Sequence, residues 1–332
     1  MPWLDSIYNA WKGSVSEKGE SPIFQRINFP GGPPQRQLVV DGDYVSVRLQ
    51  AMRIVNVRKG ISKFYGCVHS FVSLLDQRSG GIAEFHVVST PDKLKDLDAQ
   101  NVNRVVTQDI PLLTNVPYRG GLHLQLGLFS VKSTDLVAPY LSLLESLSSV
   151  AGVGFVQTAL TLSNPIKSGI DLLFGAKAIE LEVGVNESPA TPDTGTYVLM
   201  RAPGNMDVAQ LQINANKDIE DQAKHLISDY PYLIFSIDAS NKRDDWFHIP
   251  DIKAAHDELM EALRRNKLKE AEQEIFPHFR RICLTSPDLL LRHAMSIADE
   301  EEKRMKTVLK PMRTARRELD TWSLKDVDPF VN

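Results

Sequence analysis

A run of 21 residues without a charge, between Glu145 and Lys167, is the feature that most constrains this chain. Charged residues make up 24% of the 332 residues, so an uncharged run of this length must be buried in something. It is long enough to cross a hydrocarbon layer of about 30 Å as a helix rising about 1.5 Å per residue. Four serines, two threonines, Gln157, Asn164 and Pro165 dilute or interrupt its apolar content, which favours burial within the protein's own core.

The uncharged run belongs to a predicted pair of helices at about 135–175. Leucines recur every three residues from Leu141 to Leu147, close to helical spacing, and Gly152 near the end predicts a bend between the two helices. We expect this pair to cover a β-sheet. The alternative is a hairpin at 136–175 that is released into a lipid bilayer by a trigger such as proteolysis, because small residues with serine and threonine suit helix packing in membranes.

Bulk composition narrows the classes of function. The formal net charge of −4 gives no general attraction to nucleic acid or anionic lipid. Two cysteines, Cys67 and Cys283, are too few for a disulfide framework or a four-cysteine zinc site and fit a reducing compartment. The first residues lack a basic region followed by a continuous apolar stretch, so they do not resemble a secretory signal. We therefore expect a cytoplasmic protein.

Around the helical pair, period-two patterns with β-branched residues predict a mainly antiparallel β-sheet or sandwich domain at 36–247. The short turns between these patterns favour antiparallel pairing over βαβ units. The strand-like segments are 38–57, 64–75, 82–90, 103–113, 122–131, 178–185, 196–202 and 232–238.

The first 35 residues predict an amphipathic helix followed by an extended arm. Pro2 suits the first helical turn and Gly13 suits a helix end, while the glycines, prolines and serines that follow indicate a loose segment. The apolar stripe of this helix consists of Trp3, Leu4, Ile7, Tyr8 and Trp11. Such a helix docks either on the protein's own body or on a partner protein or membrane interface, where tryptophan is enriched.

Residues 248–325 predict a C-terminal helical module. Pro250 opens a helix, a second helix at 267–276 is expected to stop at Pro277, and Ser286 is expected to cap a final long helix. The apolar face of the first of these helices consists of Ile252, Ala255, Leu259 and Leu263.

The final helix carries a basic stripe after an acidic run at 299–302. The stripe residues advance by three or four positions and so share a face: Lys303, Lys306, Lys310, Arg313 and Arg317. Another face is apolar and includes Met305, Val308, Leu309, Met312 and Leu319. Binding of nucleic acid is disfavoured because no aromatic residues lie among the basic residues to stack on nucleobases. The acidic run would also repel the phosphates. The stripe is interpreted as a solvated face, a surface for a protein partner or, least favoured, a site for anionic lipid or nucleic acid.

No local motif indicates catalytic, metal or cofactor chemistry. A phosphate-binding glycine loop, HExxH and GxSxG are all absent. Cys67 and His69 share one face of a predicted strand, but positions two apart lie about 6–7 Å from each other, too far for a nucleophile and its base. Arg119 is expected to be exposed at a hairpin tip, where its planar fork is a candidate for binding a carboxylate or phosphate. We expect no cofactor and no metal.

Together these patterns predict an α+β protein that acts by binding other proteins. The leading hypothesis is a non-enzymatic adaptor or scaffold subunit of a multi-protein assembly. It would dock through the N-terminal tryptophan helix and the C-terminal basic helices, with the partner unidentified. The first alternative is a membrane-perturbing effector using 136–175, and the second is a hydrolase whose site converges from separate loops.

Overall fold

A computed structural model describes residues 2–17, 19–29, 31–55, 58–59, 62–76, 81–89, 106–132, 155–156, 179–189 and 192–321. The chain divides into two compact units, Met1–Asn241 and Lys242–Asn332. Antiparallel strands dominate the first unit and helices form the second, so the α+β class is confirmed. The predicted helical pair at 135–175 lies outside the described residues except for Phe155 and Val156, both of which are buried. Release of that pair into lipid stays a prediction.

The first unit contains two five-stranded antiparallel sheets and a small two-stranded ribbon. One sheet has the strand order β1-β9-β12-β2-β6, the other runs β3-β4-β7-β8 with β5 also paired to β4, and β10 pairs with β11. The strands are β1 (Glu20–Ile27), β2 (Tyr44–Arg53), β3 (Arg58–Lys59), β4 (Ser62–Asp76), β5 (Gly81–Ser89), β6 (Val106–Pro117), β7 (His123–Lys132), β8 (Ile179–Glu187), β9 (Gly195–Pro203), β10 (Gln212–Ile213), β11 (Ile219–Glu220) and β12 (Tyr232–Ser240).

The two five-stranded sheets bury one shared core. Alternate side chains of β2 and β7 point into it, as period-two patterning requires, and Val156 packs in the same cluster. Strand β12 is buried on both faces, because Phe235 belongs to the shared core while Ile234 packs with the β10–β11 ribbon on the other side. Each of the eight strand-like segments overlaps one strand, so those predictions are confirmed.

The predicted helix end at Gly13 and the predicted loose arm are both wrong. Helix α1 (Pro2–Glu17) continues through Gly13, because a glycine inside a helix costs only about 1 kcal/mol and Val15 beyond it is 1% exposed. The arm instead contains β1, whose residues from Glu20 to Ile27 pair antiparallel with β9. Pro22 lies within β1, where a proline is tolerated because this edge strand is paired on one side only.

The second unit is a set of packed helices. The predicted apolar face of its first helix is confirmed, since all four of its residues are buried, and Asn266 turns the chain with a φ of 58°. The elements are a 3₁₀ turn (Trp246–His248), α2 (Pro250–Arg264), α3 (Leu268–Glu270), a π-helical stretch (Ala271–Ile275), α4 (Phe276–Thr285) and α5 (Leu291–Thr321).

Two predicted helix boundaries in this unit are wrong. Pro277 does not stop a helix: it lies in the first turn of α4, where its missing N–H is not needed, directly after the π-helical stretch. Ser286 is the C-cap of α4 instead of the N-cap of the last helix. Its hydroxyl accepts a hydrogen bond from the Asp288 backbone N–H at 3.2 Å, and α5 begins only at Leu291.

Candidate functional site: the N-terminal helix and the last helix

The N-terminal helix α1 is docked on the body of the first unit. Trp11 is 7% exposed, Val15 is buried, and the half-buried Tyr8 ring lies 5.7 Å from the Trp11 ring. The helix contacts β1 and β8. Trp3 and Ile7, two other candidate partner-binding residues, lie in α1, but their side chains are outside the described part of the structure. Trp11 is thus a packing residue in this conformation and is not presented to a partner.

A notch in the second sheet receives the helix. His69, Gly127 and Gly184 are direct cross-strand neighbours on β4, β7 and β8. The two glycines leave room beside the strands, since a Cβ added at Gly184 would lie 3.3 Å from Tyr8 Cδ2. A cavity of about 20 Å³ remains there, large enough for about one water molecule. The notch is therefore a packing site for α1, and its remaining cavity is too small for an organic ligand.

His69 lines this notch and is uncharged near neutral pH. It is 3% exposed, and burial lowers its pKa from 6.5 to about 3. The imidazole is consequently neutral at physiological pH and lies far from the range in which a general base operates. The side chain of Cys67, its neighbour on β4, is outside the described residues.

Arg119 is not exposed at a hairpin tip, contrary to the sequence prediction. It is 6% exposed, and its Nη1 lies 3.9 Å from Asp41 Oδ1. The turn is held down because the Tyr118 N–H donates to the Asp43 carbonyl and the Asp41 N–H donates to the Tyr118 carbonyl. The Arg119 guanidinium is a structural group of this turn and a poor candidate for capturing an external anion.

The last helix α5 presents the predicted basic stripe. Lys303, Lys306 and Lys310 are exposed, and Lys306 forms an i,i+4 ion pair with Glu302. Arg313 and Arg317 lie further along the same helix, with side chains outside the described residues. The stripe lies along one helix face, as the spacing predicts.

Next to the stripe, one apolar residue of α5 is exposed between two buried ones. Met305 and Leu309 are each 2% exposed, whereas Val308 between them is 44% exposed. At the start of the same helix, Leu291 and Met295 are 55% and 46% exposed and lie one turn apart. The second unit thus has large apolar side chains in contact with solvent at the start of α5 and beside its buried face at Val308.

A buried cluster in the second unit resembles a catalytic triad in composition but not in electrostatics. Cys283 is fully buried, and desolvation together with the negative charge of Glu301 raises the pKa of its thiol to about 12. Glu301 Oε2 lies 3.5 Å from His256 Nε2, and Glu301 Oε1 accepts a hydrogen bond from Arg304 at 2.7 Å. The neighbouring His256 and the Arg304 charge lower the pKa of Glu301. A cysteine nucleophile requires a lowered thiol pKa, so this cluster is a structural arrangement.

No family model, curated protein or solved structure matches this chain. Within the described residues, no three His, Cys, Asp or Glu side chains gather into a metal-binding set. None of the helices among those residues combines the length and the apolar content needed to cross a membrane.

Three exposed apolar residues of the second unit were not singled out from the sequence: Phe247, Leu291 and Met295. Apolar residues one helical turn apart predict a core-facing stripe, which describes most of α5 correctly. Periodicity indicates which residues share a face. It does not indicate which apolar residues the neighbouring elements leave uncovered, so these three residues had no separate signal.

Proposed function

We propose that the protein is a non-enzymatic interaction protein, an adaptor or scaffold subunit, that binds a protein partner through its last helix. The observation that carries this proposal is the 44% exposure of Val308 on a face whose neighbours Met305 and Leu309 are buried. A large apolar side chain left in solvent beside a buried helix face supports an interaction surface at that place.

The N-terminal helix is given a different role in this proposal from the one its tryptophans first indicated. Burial of Trp11 and Val15 makes α1 part of the first unit. Docking is therefore assigned to the C-terminal end of the chain, while Trp3, Ile7 and Tyr8 are not required to meet a partner.

The pKa shifts in the second unit support a non-catalytic role. Cys283, with a thiol pKa near 12, cannot supply a thiolate, and Glu301 is held by His256 and Arg304. The thiol of Cys283 is also free, which fits a reducing compartment, and we propose the cytoplasm as the location.

Site-specific photo-crosslinking in the cells of origin tests the proposed function. A photoreactive phenylalanine analogue is placed at Val308 or Met295 and, as matched controls, at Ile82 or Leu226, which are each 54% exposed in the first unit. We expect a discrete crosslinked species from the α5 positions and none from the controls. Equal crosslinking at all four positions, or none at Val308 and Met295, would contradict the proposal.

A further inference from the structure

We infer that Ser188 is a nucleophilic serine, activated by His123 as its general base, that accepts an acyl group from an activated ester or thioester. A lasting ester at Ser188 is a covalent modification site, which goes beyond the proposed function and does not rest on it. The inference depends on the contact between the two side chains, on the packing that fixes the imidazole, and on the exposure of the hydroxyl.

Ser188 and His123 form a contact between a nucleophile and a base. Ser188 Oγ lies 2.6 Å from His123 Nδ1. Proton transfer from a hydroxyl to a base requires heavy atoms about 2.6–3.2 Å apart, and this pair meets that requirement. With its proton on Nε2, the neutral imidazole presents Nδ1 as an acceptor to the Ser188 O–H.

The strand register brings these two residues together. Leu124 of β7 pairs with Glu187 of β8, and His123 and Ser188 occupy the next positions along the two chains. Leu124 points into the shared core, so His123, one position away, points to the opposite face of the sheet. The register therefore places the base beside the nucleophile at the end of β7 and β8, on the face turned away from the shared core.

The imidazole is held in place by its neighbours on that face. The His123 ring meets the Phe71 ring edge-on, with 5.8 Å between the centroids and 71° between the planes, and Phe71 is 4% exposed. In the next cross-strand pair, Gln125 Nε2 donates to Asn186 Oδ1 at 3.1 Å. An imidazole fixed against such a surface keeps Nδ1 directed at Ser188 and loses little freedom when the reaction begins.

The Ser188 hydroxyl can be reached from solvent. Ser188 is exposed and directly follows β8, and Pro189 after it disfavours a helical backbone at Ser188. Cys283 and His69, by contrast, are buried, which keeps the thiol protonated and the imidazole away from any donor. Ser188 therefore combines exposure with an adjacent base, the two properties that a serine nucleophile requires.

Acyl transfer to this serine needs the donor alone. Ser188 Oγ attacks the carbonyl carbon of the ester or thioester while its proton moves to His123 Nδ1. The bond between the carbonyl carbon and the leaving oxygen or sulfur breaks, and the leaving group takes the proton from the imidazolium. The products are an ester at Ser188, a free alcohol or thiol, and a neutral His123.

Acetylation of the full chain by p-nitrophenyl acetate tests this inference, with mass spectrometry of the digested protein locating the acetyl group. Two exposed serines in the same sample are internal controls, because their hydroxyls donate to carboxylates instead of a base nitrogen: Ser228 to Asp229 and Ser296 to Glu300. We expect Ser188 to be acetylated about tenfold or more faster than either control.

Matched variants show whether His123 acts as the base. His123→Gln should slow acetylation of Ser188 by about tenfold or more, while His225→Gln, at an exposed histidine paired with Asp221, should leave it unchanged. Imidazole added to His123→Ala should restore part of the rate, which a merely structural role of His123 would not allow. The comparison of Ser188 with the control serines in the unaltered chain stands even if a variant folds poorly.

Three results would overturn the inference: acetylation of Ser188 no faster than that of the control serines, an unchanged rate in folded His123→Gln, or an acetyl group found on His123 instead of Ser188. Release of several nitrophenols per chain that Ser188→Ala abolishes would support the nucleophile and overturn the non-enzymatic proposed function. Crosslinking from Val308 tests the proposed function separately, so the failure of either experiment is distinguishable from the failure of the other.

Discussion

His69 lies in the middle of a cross-strand row, where desolvation holds its pKa near 3. An unfolded histidine has a pKa near 6.5, so the unfolded state binds a proton first as the pH falls. Stability is therefore complete above about pH 6.5 and declines between pH 6.5 and 3, by about 1.4 kcal/mol per pH unit.

We predict that His69→Gln removes this acid sensitivity. Relative to the variant, the wild-type free energy of unfolding should fall by about 2.5 kcal/mol between pH 7 and pH 4.5, measured by urea unfolding at each pH. Comparing the two proteins cancels the titration of the other groups. Parallel pH profiles for the two proteins would mean that His69 is charged or exposed in the folded state.

Substitution of Trp11 tests whether α1 is packed on the first unit or is free to bind a partner. Because it is 7% exposed, Trp11→Ala should lower the free energy of unfolding by about 3 kcal/mol, measured by chemical denaturation. Asn9→Ala, on the exposed side of the same helix, is the control and should change stability by less than about 0.5 kcal/mol. Equal stability of the two variants would restore the interpretation of α1 as a free docking helix.

At the scale of elements, the notch in which α1 packs depends on the absence of a side chain at Gly127. A Cβ at Gly127 would lie 2.6 Å from Phe129 Cε2, too close without movement of the buried ring. Gly127→Ala should therefore destabilise the first unit by about 1–3 kcal/mol. Gly66→Ala in β4 is the matched control, because the added Cβ would meet its nearest neighbours at 3.5 Å or more. Thermal unfolding of both variants measures the difference, and a Gly127→Ala protein as stable as the control would contradict the packing at this notch.

Element boundaries, more than element types, escaped prediction from the sequence. Strand patterns with alternating burial were recognised because half-buried strands impose a period of two. The end of α1, the strand β1 and the helix through Pro277 were missed because tertiary packing outweighs local preferences of about 1 kcal/mol. On α5 the basic and apolar faces were predictable from spacing, but the exposure of Val308 between the buried Met305 and Leu309 was not.

At the scale of the whole molecule, the division after Asn241 separates two cores. Arg243, two residues into the second unit, is fully buried, with its Nε 2.8 Å from Asp245 Oδ1 and its Nη1 3.9 Å from Asp288 Oδ1. This arginine ties the start of the unit to the loop between α4 and α5. Leu259, Phe279 and other fully buried residues supply an independent apolar core.

We predict that residues 242–332 fold without the first unit. The isolated fragment should show a helical circular dichroism spectrum and a single cooperative unfolding transition in urea, because both its core and the Arg243 network lie within it. In the same fragment, Arg243→Ala should lower the free energy of unfolding by about 3 kcal/mol, since it leaves the buried Asp288 carboxylate short of a counter-charge. Arg265→Ala, an exposed arginine on the same unit, should have little effect. A fragment that unfolds without cooperativity would mean that the helices need the sheets for their stability, and α5 would then have to be studied as part of one larger core.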